Sequence, residues 1–183
     1  MNKNSKVRFI QLSEEHLEQV LKWRTSDYVN QFMYTDVQYD PYQHREWFRK
    51  FSEDPSQKWW VIKFKAEKVG VISLQKLGVN QGRCLWSYYL GEEKFFRIGA
   101  FIPPFLYNHV FSHYAVDIIE AEVMAENVKV IQIHLSHGYR LIKTVDQHVF
   151  KNDRWHAVQF LELTREAWYA QRAQFAAYEA DFE

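Results

Sequence analysis

Apolar residues recur along the chain with two periods, and each period predicts a different kind of element. Stretches in which apolar and polar residues alternate, or in which apolar residues run on without a break, are typical of β-strands. Stretches in which apolar residues recur every three or four positions are typical of amphipathic helices. The strand pattern occupies residues 7–12, 58–64, 70–77, 84–90, 117–124, 139–150 and 155–163, and the helix pattern occupies 13–23, 41–53, 103–115, 127–137 and 165 to about 180.

Capping residues mark the ends of several of these elements. Ser13 and Thr164 are N-cap candidates, and Pro41 follows Asp40 at a first helical position, where proline is favoured. Gly138 is placed to end the helix before it. The element order is strand, two helices, three strands, helix, strand, helix, two strands and helix. It predicts a mixed α+β fold, with residues 1–183 forming one domain that has an additional C-terminal helix over about 165–180.

Composition and charge exclude several classes of protein. Hydrophobic residues make up 47% of the chain and charged residues 25%, which is typical of a globular domain. The 23 basic and 23 acidic residues balance, so no basic field favours nucleic acid. A single cysteine, Cys84, excludes a disulfide framework within the chain and a cysteine-rich zinc site. The first residues are too short and polar for a signal sequence, and no apolar run is long enough to span a membrane, so we expect a cytoplasmic protein.

Seven short segments, in their order and spacing, resemble a known enzyme family over roughly residues 7–168. They read WRT followed by FMY from Trp23, GVISL from Gly70, WSYYLGE from Trp86, AEVMAEN from Ala121, the run from Asn127 to Tyr139, HVFK with WHAV from His148, and TREAW from Thr164. These segments resemble the GNAT superfamily of N-acetyltransferases. The resemblance implies a mostly antiparallel seven-stranded sheet flanked by helices, with splayed fourth and fifth strands, and transfer of an acetyl group from acetyl-CoA to an amine.

Two branches of this family compete for the chain. The WRT and FMY segments, His44 on the second helix and EVM in the fifth strand resemble enzymes that acetylate a nucleotide-linked amino sugar in pseudaminic acid biosynthesis. The alternative branch acetylates ribosomal-protein N-termini or small amines. A GNAT-like module that binds a ligand with little catalysis is a third possibility.

The resemblance also implies which residues hold acetyl-CoA. The pantetheine arm would lie along the fourth strand, and the pyrophosphate would lie on the turn that follows it, at the start of a helix. That turn reads KFFRIGAF from Lys94 and departs from the family pattern Q/R-x-x-G-x-G/A. Either Arg97 compensates as a phosphate ligand, or the turn binds CoA less tightly. The residues implied are Tyr88, Tyr89, Leu90, Arg97, Ile98, Gly99, Ala100, Asn127 and Ile131.

Two residues are candidates for proton transfer. His134 occupies the position that carries a tyrosine in many family members, and a histidine there could protonate the leaving thiolate or take a proton from the ammonium through water. Glu122 is a carboxylate within an apolar strand and could draw the proton from the incoming ammonium. The alternatives are a packed helix histidine and a solvated glutamate.

Four residues are candidates for the acceptor side, namely Arg24, Tyr34, His44 and Lys76. A cation could bind a nucleotide diphosphate and an aromatic ring could stack on its base, although for each residue alone a surface charge or a core aromatic is the better interpretation. The histidine spacing predicts no metal site. The apolar stripe of the last helix would cover the core or a partner, so a monomer and a homodimer both remain open.

Overall fold

A seven-stranded sheet forms the centre of the computed structural model, which describes residues 6–183. Neighbouring strands are antiparallel except β4 and β5, which run parallel, so the predicted mixed sheet is confirmed. Residues 1–5, on which the expected lack of a signal sequence rests, lie outside the described part. The strands are β1 (Val7–Gln11), β2 (Lys58–Phe64), β3 (Glu67–Gln75), β4 (Gly82–Leu90), β5 (Val116–Met124), β6 (Arg140–Lys151) and β7 (Arg154–Thr164), in the order β1-β2-β3-β4-β5-β7-β6.

Six α-helices and three 3₁₀ segments connect the strands. The helices are α1 (Leu17–Arg24), α2 (Asp27–Asn30), α3 (Pro41–Ser52), α4 (Pro103–His113), α5 (Val128–Ser136) and α6 (Arg165–Gln171), and the 3₁₀ segments are Glu14–His16, Glu93–Phe101 and Arg172–Phe175. Within residues 6–183, no helix has both the length and the apolar character that crossing a bilayer demands.

The predicted caps act as the sequence indicates. The Asp40 side chain accepts a hydrogen bond from the Gln43 amide at 3.0 Å, and the Thr164 hydroxyl accepts one from the Ala167 amide at 3.1 Å. Gly138 follows α5 with φ of 88°, in the left-handed region that glycine adopts without strain.

Alternation along the strands divides the core between the two faces of the sheet. On β2, Val61 joins the cluster beneath α1 and α3, whereas its neighbours Trp60 and Ile62 join the larger cluster beneath α4 and α6. Trp168 of α6 is fully buried in that larger cluster. Both faces are therefore covered by helices, which is why β2 and β3 contain runs of buried, mainly apolar residues.

The pairing between β4 and β5 is short. It extends from Gly82 to Leu85 on β4, opposite Val116 to Glu120 on β5. Beyond Leu85 the two strands diverge, and the edge of β4 that faces β5 has no strand partner in the described chain. The predicted splay of the fourth and fifth strands is confirmed, and it opens the sheet at its centre.

The segment predicted as a loop over 91–101 is helical for most of its length. Glu93–Phe101 forms a 3₁₀ helix in which Phe95 and Ile98, three positions apart, pack against the main core. A 3₁₀ helix returns to the same face every three residues, which accounts for the choice of this geometry.

The C-terminal helix is shorter than predicted. It ends at Gln171 rather than near residue 180, and the chain continues as an irregular tail to the far edge of the sheet. The buried amide of Asn108 donates to the carbonyls of Phe175 and Tyr178, and the Phe9 amide donates to the Asp181 carbonyl at 3.1 Å. These tertiary bonds replace the helical ones and override the favourable helix propensity of the Ala- and Gln-rich sequence.

Removal of the Phe182 ring is expected to destabilise the protein. The ring stacks between Phe9, at 4.1 Å between centroids, and His109, at 3.9 Å. Aromatic pairs stabilise a fold beyond the contribution of the apolar area that they bury. Phe182→Ala should therefore lower the free energy of unfolding by roughly 1–2 kcal/mol, measured by urea titrations followed by circular dichroism. Tyr42→Ala, which truncates an exposed ring, is the control; equal losses in both variants would contradict an anchoring role for the tail.

Candidate active site

A pocket of about 260 Å³ fills the opening between β4 and β5. One wall is β4 from Trp86 to Leu90, the other is β5 from Ala121 to Met124, and α2 and α5 close the remaining sides. The walls are largely aromatic and aliphatic. The pocket is therefore an apolar cleft at a break in a sheet, with a few polar groups that point to its chemistry.

His134 brings a neutral imidazole to this pocket. The residue is buried on α5, and its Nδ1 lies 2.7 Å from the Val130 carbonyl. Because a carbonyl only accepts, Nδ1 carries the hydrogen, and Nε2 of the neutral ring is left as an acceptor. Burial lowers the pKa of His134 to about 4, with a smaller contribution from His137. At neutral pH the ring is therefore neutral, with Nε2 free to accept a hydrogen bond and carrying no proton to supply.

Glu122 and Tyr34 form a hydrogen-bonded pair beside the pocket. The Tyr34 hydroxyl donates to Oε2 of Glu122 at 3.1 Å, which joins the segment after α2 to β5. Burial and the neighbouring carboxylate raise the pKa of the Tyr34 hydroxyl. The carboxylate retains a second oxygen for a ligand, and Glu122 is the acidic residue among those that line the pocket.

The remaining predicted acceptor residues do not line the pocket. Arg24 is engaged within the protein, since its Nη1 donates to Asn30 Oδ1 at 2.7 Å and its Nη2 donates to the Thr35 carbonyl at 2.7 Å. His44 is buried against Trp47, with 4.8 Å between ring centroids. Lys76 lies in the turn after β3, just beyond the pair of Gln75 with Leu85, and it is not among the residues that line the pocket.

The predicted acetyl-CoA residues fall into three groups. Tyr88, Tyr89, Leu90, Gly99 and Asn127 line the pocket. Arg97 and Ala100 line a second groove of about 510 Å³ that shares several residues with the pocket. Ile98 and Ile131 instead pack into the main core, because the period of each helix directs them inward.

The second groove carries a cation that the sequence reasoning missed. Lys129, in the first turn of α5, lies with Arg97 among the groove residues, which also include Gln132 and Ser136. Both cations are exposed. The position of Lys129, two residues after Asn127 at the N-terminus of a helix, was the available signal, since helix N-termini favour anions.

Tyr28 links the two sides of the site. Its hydroxyl donates to the carbonyl of Gly91, and its ring meets Phe96 edge to face at 5.4 Å. A Cβ at Gly91 would overlap the ring of Trp23, which accounts for the glycine at the end of the WSYYLGE segment. The 3₁₀ segment is therefore held against α1 and α2.

An aromatic and basic cluster lies on the acceptor side, and the sequence reasoning did not assign it. Phe160 of β7 is the register partner of Glu122. The ring of His148 contacts Phe160 at 5.1 Å and Tyr34 at 5.8 Å, and Lys143 Nζ lies 4.7 Å from the Phe160 centroid. This cluster of rings and one cation is joined to Glu122 through the Tyr34 hydroxyl and the pairing of β5 with β7.

Comparison with known proteins identifies related sequences. The family profile described as "Acetyltransferase (GNAT) domain" matches residues 6–140. The acetyltransferase PseH of Campylobacter jejuni is 22% identical over 133 residues, which cover 73% of this chain and 82% of that protein.

Among residues 6–183, no group of three or more His, Cys, Asp or Glu side chains is arranged to hold a metal ion.

Solved structures share the fold at low sequence identity. Spermidine N-acetyltransferase from Vibrio cholerae, in complex with CoA and spermine, superposes with a TM-score of 0.84 at 13% identity, covering 91% of this chain and 99% of its own. RimL, a ribosomal L7/L12 α-N-protein acetyltransferase in complex with CoA, superposes with a TM-score of 0.77 at 14% identity, covering 90% and 97%.

Proposed function

The chain belongs to the GNAT acetyltransferase family, and on that premise we propose that it transfers an acetyl group from acetyl-CoA to the amine of a nucleotide-linked sugar. The observation that carries the proposal is the pairing of Glu122 with Tyr34 beside a cleft whose strand edge is unpaired. The overall change would be an ammonium and the thioester giving an amide, the free thiol of CoA and one proton.

The unpaired edge of β4 supports the assignment of acetyl-CoA. Pantetheine carries two amide groups, and backbone groups of Tyr88, Tyr89 and Leu90 are suited to bond them as a neighbouring strand would. The adjoining groove offers Arg97 and Lys129 to the phosphates. Two exposed cations supply charge where the turn lacks the glycines of the family pattern.

Removing the cations of the groove should weaken acetyl-CoA binding. Arg97→Ala and Lys129→Ala are each expected to raise the Kd by about tenfold, because a bond to a charged group contributes on the order of 1.5 kcal/mol. Calorimetric titration with acetyl-CoA measures the effect, and Lys50→Ala, an exposed lysine on α3, is the control. An unchanged Kd in both groove variants would exclude this groove as the phosphate site.

The proton has a path that fits the neutral state of His134. An amine enters as ammonium and must lose a proton before it attacks the thioester. In this proposal Glu122 binds the ammonium and takes the proton, and Nε2 of His134 is a second acceptor that water could connect to it. The lowered pKa of His134 keeps the ring neutral at pH 7, so Nε2 carries no proton to give to the leaving thiolate.

The charge of the acceptor side supports a substrate with one amino group. A polyamine carries several positive charges, whereas Glu122 is the acidic residue that lines the pocket and Lys143 lies nearby. The rings of Tyr34, His148 and Phe160 provide faces for a nucleobase, and Lys143 provides charge for a diphosphate. Two sequence features agree with this acceptor: the similarity to PseH, and the WRT and FMY segments.

Thiol release tests the proposal directly. Purified protein with acetyl-CoA is offered a UDP-linked 4-amino sugar, spermidine and short peptides with free N-termini, and free CoA is followed with a thiol-reactive dye. We expect the largest kcat/KM with the nucleotide sugar. A preference for spermidine or a peptide would overturn the acceptor assignment, and no release from any amine by protein that binds acetyl-CoA would overturn the activity.

A further inference from the structure

A lysine at the end of β6 is buried beside the active site. The side chain of Lys151 is 2% exposed, and its ammonium lies within hydrogen-bond distance of three oxygen atoms. It donates to the Asn30 carbonyl at 2.5 Å and the Met33 carbonyl at 3.1 Å, and it lies 2.9 Å from Oδ1 of Asp36. All three acceptors belong to residues 30–36, so one cation binds one segment at three points.

Residues 30–36 are held from the opposite side as well. Arg24 of α1 donates to the Asn30 side chain and to the Thr35 carbonyl, as described above. The side-chain Nδ2 of Asn30 also donates to Oδ1 of Asp36 at 2.8 Å, so the two ends of the segment are bonded to each other. Two cations from distant parts of the chain therefore clamp a segment that has no regular secondary structure after the last residue of α2.

The position of Lys151 is itself fixed by a buried histidine. Nε2 of His156 lies 3.0 Å from the Lys151 carbonyl, and Nδ1 lies 2.9 Å from Oε2 of Glu126. The ring therefore links the Lys151 carbonyl to the carboxylate of Glu126. This pair anchors the end of the β6–β7 hairpin to the segment that follows β5.

The clamped segment carries Tyr34, which donates to Glu122. A side chain used for packing alone would be served as well by an apolar residue of similar length, because burying a charge costs free energy. A lysine instead makes directional bonds to two backbone carbonyls and so fixes the backbone immediately before Tyr34. The ammonium is thus connected to the carboxylate of Glu122 through one turn of chain and one side chain.

We propose that Lys151 is a positioning residue that holds residues 30–36 so that Tyr34 orients the Glu122 carboxylate toward the acceptor amine. This inference rests on the proposed function, in which Glu122 receives the proton. It also assigns Arg24 to the same clamp and not to the binding of substrate.

Lys151→Met removes the ammonium and keeps the length of the side chain. Lys58→Met, an exposed lysine on β2, is the matched control. Asp36→Asn removes the negative charge from one of the three contacts at a part-exposed position, and it guards against a failure of Lys151→Met to fold. Each variant is examined by amide hydrogen exchange of residues 28–36, by calorimetry with acetyl-CoA, and by steady-state kinetics with the amine that the wild type turns over.

The expected result for Lys151→Met is exchange that is at least about tenfold faster in residues 28–36, since bonds to a charged group are lost there. The KM for the amine should rise at least about fivefold. The Kd for acetyl-CoA should stay within about a factor of two of the wild-type value, which is the ordinary effect of a substitution away from the binding site. Asp36→Asn should show a smaller change of the same kind, and Lys58→Met no change.

Two results would overturn the inference. One is exchange in residues 28–36 that matches the control; the other is a loss of thermal stability with both the amine KM and the acetyl-CoA Kd unchanged, which describes a purely structural lysine. If the wild type acetylates no amine, the proposed function fails, and the exchange measurement still decides whether Lys151 holds the segment.

Discussion

Replacing Glu122 by glutamine is expected to lower kcat/KM for acetyl transfer by about a hundredfold or more, because positioned general bases contribute on the order of 10²–10⁴ to rate. Glutamine keeps the shape of the side chain and can still accept the hydrogen bond from the Tyr34 hydroxyl. It cannot take a proton from an ammonium. The variant therefore separates proton transfer from the positioning of the segment, and thiol release followed over a range of amine concentrations measures the loss in kcat/KM.

A matched control for this change lies on the same strand. Glu120, two positions earlier on β5, bonds the guanidinium of Arg83 at 2.7 Å, and it does not line the pocket. Glu120→Gln should leave kcat/KM within about a factor of two, as substitutions away from the chemistry usually do. The Kd for acetyl-CoA should be the same in both variants. Retention of full activity by Glu122→Gln would assign the proton to another group, with His134 the next to test.

The sheet and its caps could be predicted from the sequence because local rules and the fold agree there. Val61 and Ile62, one residue apart, are buried on opposite faces, as a period of two requires. Asp40, Gly138 and Thr164 each satisfy a helix end through bonds to near neighbours. These signals lie within a few residues of their effect, so a single sequence contains them.

Contacts between distant parts of the chain could not be predicted in the same way. The last helix ends early because Asn108, more than sixty residues away along the chain, bonds the tail carbonyls. Lys151 and Asn30 are 121 positions apart. A sequence displays the lysine but not the carbonyl that it meets, so a buried clamp and a surface charge look alike until the fold brings them together.

The acceptor side shows the same limit at the site itself. Arg24 was a candidate for binding a diphosphate on the strength of its charge, but its donors are used by Asn30 and Thr35. Phe160 and His148 carried no signal of their own, and they reach Tyr34 only through the register of β5, β6 and β7. Residue type therefore predicted the kind of chemistry, while strand register determines which residues are available for it.

Acidification is expected to destabilise the protein between pH 7 and pH 5, with His134 contributing about 2 kcal/mol of that loss. Burial lowers the pKa of His134 from 6.5 to about 4 in the folded state. Between these two values the unfolded chain binds a proton that the folded chain does not, so the free energy of unfolding falls as the pH falls. Burial lowers the pKa of His109 and His137 to about 4 as well, which adds to the loss in the same direction.

Urea titrations at pH 7, 6 and 5 measure this dependence, and His134→Gln isolates its source. The variant should show a shallower loss of stability with acid than the wild type, whereas His148→Gln, at an exposed histidine, should parallel the wild type. Identical slopes in wild type and His134→Gln would mean that burial does not lower the pKa of this ring. The loss of stability with acid and the neutral state of His134 at pH 7 are thus two consequences of one buried imidazole.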